Sequence, residues 1–180
     1  MDGEHQLIQN AIKGEASAFG ELYDRYQPQI YRFVALKVGR REDAEDLTHQ
    51  VFLSAWQNIK SYTHRGFPFS SWLYRIARNQ IVDFYRARRD VFSVEDTDPE
   101  LLIHDPKIEL AVERQVATGR VMSAIRFLKQ EYQDVLILRF IEDLSIREVA
   151  AALGKSEGSV KVTQHRAVKA IRTFLGNDFI

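Results

Sequence analysis

Cysteine is absent from this 180-residue chain, which excludes disulfide frameworks, thiolate metal sites and cysteine nucleophiles together. No segment approaches the roughly 18 uninterrupted apolar residues of a membrane span. The first twelve residues carry Asp2 and Glu4 without the apolar stretch of a secretion signal, so the expected location is the cytoplasm, with no membrane insertion. Strand-like alternation and Asn-Gly hairpins are also missing, whereas helical periodicity recurs along the chain, so the fold class expected is all-α. With 45% hydrophobic and 28% charged residues the composition is that of a globular protein rather than a disordered one. The length suits one domain or two small ones.

Net charge is missing too, because 25 basic and 25 acidic side chains cancel. That zero is a sum of unlike parts. Residues 72–89 hold Arg75, Arg78, Arg86, Arg88 and Arg89 against Asp83 alone, and residues 155–172 hold Lys155, Lys161, Arg166, Lys169 and Arg172 against Glu157 alone. Between them lies an acidic stretch, in which Glu95, Asp96, Asp98, Glu100, Asp105, Glu109 and Glu113 face only Lys107. Two basic stretches separated by an acidic strap suggest contact with a polyanion at two places.

Phe19, Leu22, Tyr23, Tyr26, Ile30 and Phe33 recur at three- and four-residue steps and predict one amphipathic helix, with a kink or early break at Pro28. A second helix is expected over 42–59, its apolar face made of Leu47, Val51, Phe52, Ala55, Trp56 and Ile59 and its first turn acidic, as the helix dipole favours. Gly66 and Pro68 mark residues 61–70 as a loop. A third helix is expected over 71–88, burying Trp72, Leu73, Ile76, Ala77, Ile81 and Phe84. Periodicity then lapses, giving a first domain over 1–90, an acidic linker over 91–116 and a second domain over 117–180.

In the second domain Ser145 followed by Glu148 is a capping box, and Gly154 ends the short helix it opens. Ser156 caps a further helix with Val160, Ala167, Val168 and Ile171 as its buried stripe. Two short helices joined by a tight turn form a helix-turn-helix. The outward residues, Ser156, Ser159, Lys161, Thr163, Gln164, His165, Arg166 and Lys169, suit DNA. Lysine and arginine neutralise phosphates or read guanine, glutamine pairs with adenine, and threonine touches phosphate or a thymine methyl. A solvated helix closing a bundle would use the same stripe, but would not need the cap and turn.

At these residues a family resemblance emerges. The runs LSIREVAAALG at 144–154, SEGSVK at 156–161 and HRA at 165–167 resemble the region-four helix-turn-helix of sigma factors, and YQDVLILRF at 132–140 resembles the segment leading into it. DAEDLT at 43–48 with Val51, Phe52, Ala55 and Trp56 resembles the region-two helix that binds the polymerase clamp. WLYRIARN at 72–79 with Asp83 and Arg86 resembles the promoter-melting helix. The absence of an intervening domain resembles the short extracytoplasmic-function group.

The resemblance implies a transcription-initiation factor. Asp43, Asp46 and Gln50 would contact core RNA polymerase, the 61–89 region would recognise and melt the minus-ten element, and the last helix would read the minus-thirty-five element. It leaves room for an anti-sigma factor and implies neither cofactor nor metal.

The melting region also has a physical rationale, since holding an open strand requires cations for the backbone and flat side chains for the bases. Arg65, Phe67, Phe69, Trp72, Tyr74, Arg75, Arg78, Arg86, Arg88 and Arg89 supply both. Base–aromatic stacking contributes about 1 to 3 kcal/mol per base, comparable with the cost of extruding one. Trp72, at helical spacing from Ile76, reads first as core, whereas Phe67 and Phe69 in a Gly/Pro loop read as stacking candidates. Asn79 pairs either with a base edge or with a backbone group. The linker could extend to roughly 90 Å at ~3.3 Å per residue, enough for the roughly 70 Å of two duplex turns.

An enzyme has little support: His5, His49, His64, His104 and His165 show no two-ligand helical spacing, and no phosphate loop or nucleophile elbow occurs. A protein-binding adaptor would leave the basic helix unexplained. A free-standing repressor is the nearest rival, and DNA binding strengthened by core polymerase separates the two. The chain alone is expected to bind DNA weakly until polymerase sets the spacing of its domains.

Overall fold

The computed structural model describes residues 2–64, 66–92 and 115–175, and among these every regular element is helical. Eight α-helices follow in order: α1 (Asp2–Ile12), α2 (Ala16–Val38), α3 (Arg41–Asn58), α4 (Phe69–Phe92), α5 (Gln115–Arg126), α6 (Gln130–Phe140), α7 (Ile146–Leu153) and α8 (Glu157–Leu175), with a 3-10 turn at Ile59–Ser61. The acidic linker expected over 91–116 lies almost wholly outside the described residues. Among the described residues no helix is long and apolar enough to cross a membrane.

Helices α1 to α4 bury one apolar stripe each. Ile8 and Ala11 of α1 seat that helix on the bundle, and Tyr26 of α2 secures it by donating its hydroxyl to the Glu4 carboxylate at 2.7 Å. Leu22, Ile30, Phe33 and Val34 of α2 meet Leu47, Val51, Phe52 and Ala55 of α3 and Leu73, Ala77 and Ile81 of α4. Helix α2 runs unbroken through Pro28, so the early break expected there does not occur. Pro28 sits on the exposed side of the helix, where a carbonyl losing its intrahelical partner can turn to water.

Helix α4 also starts earlier and ends later than its periodicity indicated. Pro68 does not prolong the loop but precedes the first turn, its carbonyl accepting from the Ser71 amide at 3.0 Å. That places Phe69 inside the core.

In the second domain, Gln133 is buried and donates to the carbonyls of Arg126 (3.0 Å) and Leu128 (2.9 Å), closing the α5–α6 turn. Both bonds of the capping box are made: the Glu148 amide to Ser145 Oγ at 3.2 Å, and the Ser145 amide to Glu148 Oε2 at 2.7 Å. Gly154 ends α7 at φ 65°, a left-handed conformation that glycine adopts without steric cost. The Ser159 amide bonds Ser156 Oγ at 3.2 Å, so the cap read for α8 is present.

The domains pack on each other, with α4 against α7 and α2 against α5 and α6. Glu142 accepts a two-pronged pair from Arg32, both contacts at 2.7 Å, and a 3.0 Å bond from the Tyr74 hydroxyl. Asp134 takes Lys37 on one oxygen and Arg78 Nε on the other, the latter at 2.9 Å.

Candidate nucleic-acid interface

On α8, Val160 and Ala167 are buried as the stripe required, and Lys161, His165, Arg166 and Lys169 stand exposed on the opposite side with Ser156 and Ser159 at its start. Lys161, His165 and Lys169 follow at four-residue steps, so their side chains rise along one face. Exposed Arg172 extends that row by one turn, and Val162 adds an apolar contact at 51% exposure. The row presents cations with few acids near it, which suits phosphate contact and groove reading.

Two residues leave the set predicted for this helix face. Thr163 is only 8% exposed, because it lies three residues after Val160 and four before Ala167, on the buried stripe itself. Gln164 is half-buried and accepts a 3.2 Å bond from Arg139, which also donates to the Leu144 carbonyl, so its amide braces α6 against α8.

The other basic surface lies on α4. Arg75, Asn79, Asp83 and Arg86 are exposed and Arg78 is half-buried. Asp83 and Arg86 face each other at 3.3 Å on open surface, a pair of little energetic weight. Arg88 is engaged: it bonds the Asp43 carboxylate at 3.0 and 3.2 Å and lies over the Phe84 ring at 4.3 Å. It therefore ties α3 to α4 rather than standing free for DNA. Arg65 lies outside the described residues, as does the side chain of Arg89.

The aromatic assignments divide. Phe69, read as a stacking platform, is 1% exposed among Tyr26, Tyr62 and Trp72 at ring separations of 5.2 to 5.5 Å. It is core, since α4 begins at Phe69 and not two residues later. Trp72 is half-buried in the same cluster, and Tyr74 is buried. Burial, and then the charge of Glu142, hold the Tyr74 phenol well above its ordinary value. Phe67 remains half-exposed in the loop, with the Arg147 guanidinium 5.2 Å over its ring.

A third surface is on α3. Asp46 and Gln50 are exposed one turn apart, and Leu53, exposed at 48%, continues the line. Leu53 stands outside the residues expected on this surface. Its signal was an apolar residue off the Leu47–Val51–Ala55 stripe. Asp43 stands partly buried on the same helix, held by Arg88. Among the described residues no group of three or more histidine, aspartate or glutamate side chains could hold a metal ion.

The Sigma-70 region 2 family matches residues 22–91, spanning most of α2 through α4, and the Sigma-70 region 4 family matches residues 118–171, across α5 to α8. Over 177 residues the chain is 37% identical to the ECF RNA polymerase sigma factor BldN of Streptomyces coelicolor, covering 96% of this chain and 66% of that protein. It is 32% identical to the ECF RNA polymerase sigma factor SigD of Mycobacterium tuberculosis, covering 96% of this chain and 84% of SigD. Among solved structures, CnrH in complex with the cytosolic domain of CnrY matches with a TM-score of 0.72 at 25% identity, covering 97% of this chain and 98% of CnrH.

Proposed function

Because the chain belongs to the sigma-70 family, and within it to the extracytoplasmic-function sigma factors, we propose that it binds core RNA polymerase and directs promoter-specific transcription initiation. Residues 1–90 act as region two, 91–116 as the linker and 117–180 as region four. The observation that carries this reading is the pairing, in one chain, of a capped helix-turn-helix bearing an exposed cationic row with a second helical unit bearing an exposed acidic–apolar line on α3 and a basic α4. A free-standing repressor would need only the first.

In this reading Asp46, Gln50 and Leu53 form the polymerase-binding line, with Asp43 held behind it by Arg88. Leu53 supplies the apolar centre, around which charged rim residues tune partner choice. Lys161, His165, Arg166 and Lys169 with Ser156 and Ser159 read the minus-thirty-five duplex. Arg75, Arg78, Asn79 and Arg86, with Phe67 as the stacking ring, hold the melted minus-ten strand. The chain performs no catalysis of its own and works in the cytoplasm with polymerase. The likeness to CnrH, solved with the cytosolic domain of CnrY, supports a protein partner here too, the place an anti-sigma factor would take.

Run-off transcription tests the reading. Core polymerase stripped of its own sigma factor is given this chain and a promoter library. Discrete transcripts sharing two upstream elements are the expected product. Transcripts no different from those of core enzyme alone would overturn it.

A further inference from the structure

Resting on the sigma-factor reading, which puts α8 in the major groove of the upstream element, we propose that Val162 sets sequence preference there. Its isopropyl group packs against the C5-methyl group of a thymine. Val162 is 51% exposed in the middle of α8, whereas Val160 is buried and Val168 and Ile171 are half-buried against the core. It stands among the cations that bring the helix to phosphate, with Lys161 beside it and Arg166 one turn on.

Single apolar residues are common on protein surfaces and need no explanation by themselves. Three features set this one apart. Its neighbours one turn away in both directions, Gly158, Ser159, His165 and Arg166, are all exposed, so its own helix face offers it no apolar partner. Side chains of a helix lean toward its N-terminus, which carries Val162 toward Gly158, where even an added methyl group would stand in open space. Approach from that side is therefore unobstructed. Valine is also a poorer helix former than the alanine, lysine or arginine that suits a purely solvated position, because its branched Cβ is restricted in a helix.

The chemistry of the groove names the counterpart. Base edges in the major groove present donors, acceptors and one apolar group, the thymine methyl. Lys161, Arg166 and Lys169 carry donors, which suit phosphate and guanine but do not register a methyl. Thr163, expected to touch one, is buried, and the Gln164 carbonyl oxygen that a two-point contact with adenine requires is held by Arg139 at 3.2 Å. The methyl-reading role therefore passes to the exposed neighbour, Val162. An apolar contact of this kind removes area from water on both partners, so it is lost when either is shortened.

Deoxyuridine differs from thymidine by that methyl alone. The probe is the promoter duplex recovered by run-off selection, with each thymine of the upstream element replaced in turn, on either strand, by deoxyuridine. The full chain assembled with core polymerase is titrated against each duplex by fluorescence anisotropy. One replacement should weaken binding about fourfold, the effect of withholding a single methyl group from burial. Val162→Ala should lose a similar factor on the all-thymine duplex and become indifferent to deoxyuridine at that position, while Val162→Ile keeps the sensitivity. Salt dependence should be unchanged in both variants, because an apolar contact releases no counterions. The unfolding midpoint of Val162→Ala should match or slightly exceed that of the wild type, as alanine is the better helix former.

Deoxyuridine sensitivity undiminished in Val162→Ala would overturn the contact, as would indifference of the wild type to every replacement, or an upstream element with no thymine. A lowered unfolding midpoint in Val162→Ala would overturn it too, since the side chain would then serve the fold. Transcription from the same templates separates the two readings. Run-off that depends on the chain but ignores deoxyuridine removes the Val162 contact alone, whereas no run-off on any template removes the sigma-factor reading and the contact with it.

Discussion

Arg166→Ala probes the duplex-reading surface, and its effect can be worked from position alone. The guanidinium is exposed on α8 with no partner among the described residues, so its removal costs little stability, within about 0.5 kcal/mol for a surface site. What it should cost is DNA binding, in one of two distinguishable ways. A phosphate contact releases counterions, and its loss lowers the slope of log affinity against log salt by about 0.9 for every promoter sequence. A bidentate guanine contact instead contributes about 1 to 3 kcal/mol of discrimination at one base pair, or roughly five- to 150-fold, with little change in slope. Fluorescence anisotropy of the holoenzyme on duplex promoter, at four or five salt concentrations and with each base of the upstream element varied, reads both quantities. Unchanged slope with unchanged base preference would remove Arg166 from the reading surface. Lys161 and Lys169 serve as comparators, since a lysine ammonium is the poorer guanine reader and should follow the salt-slope behaviour.

Other consequences follow from the same geometry. Asp46→Ala and Leu53→Ala should each weaken association with core polymerase in co-sedimentation while leaving the unfolding midpoint unchanged; a lowered midpoint with intact association would make them structural. Ser145→Ala removes the cap of α7 and should destabilise the second domain by about 1 kcal/mol in chemical unfolding, with Ser145→Thr close to wild type; equal losses in both would point to packing instead. Tyr26, Tyr74 and Tyr85 are all held above the ordinary phenol value of 10.0, chiefly by burial. The folded chain thus keeps protons that the unfolded chain releases, so their contribution is complete below pH 10 and is lost as pH rises beyond it. Phenolate absorbance of the buried tyrosines should therefore appear together with loss of helical signal; phenolate appearing with the helices intact would contradict their burial.

What was legible in the sequence was whatever depends on spacing within one element. The Val160–Ala167 stripe, the Ser145–Glu148 box, the Gly154 stop and the Leu47–Val51–Ala55 face follow from three- and four-residue steps, and each stands where that logic put it. Thr163 was misread for want of the same logic: its polarity outweighed its position between two buried residues. Phe69 was misread because Gly66 and Pro68 signalled loop, whereas proline just before a first turn starts a helix as readily as it ends one. Pro28 was overweighted because the cost of a missing amide depends on whether the freed carbonyl faces water. The two-acid clasp could not be read at all. Lys37 and Asp134 are 97 residues apart, and nothing local distinguishes a lysine that will be buried on a distant aspartate from one that will stay in solvent. The parts of the candidate site that rest on helix faces were therefore readable, and those that rest on how the two domains meet were not.

In this reading one chain grips two separated stretches of the same promoter. A photo-activated cross-linker placed at Val162 of α8 in one preparation and at Asn79 of α4 in another, each assembled with core polymerase on promoter DNA, tests it directly. Cross-links from Val162 should fall in the upstream duplex and those from Asn79 about two helical turns nearer the start site, a separation of roughly 70 Å. Both positions cross-linking to the same base pairs, or Asn79 to none, would contradict it.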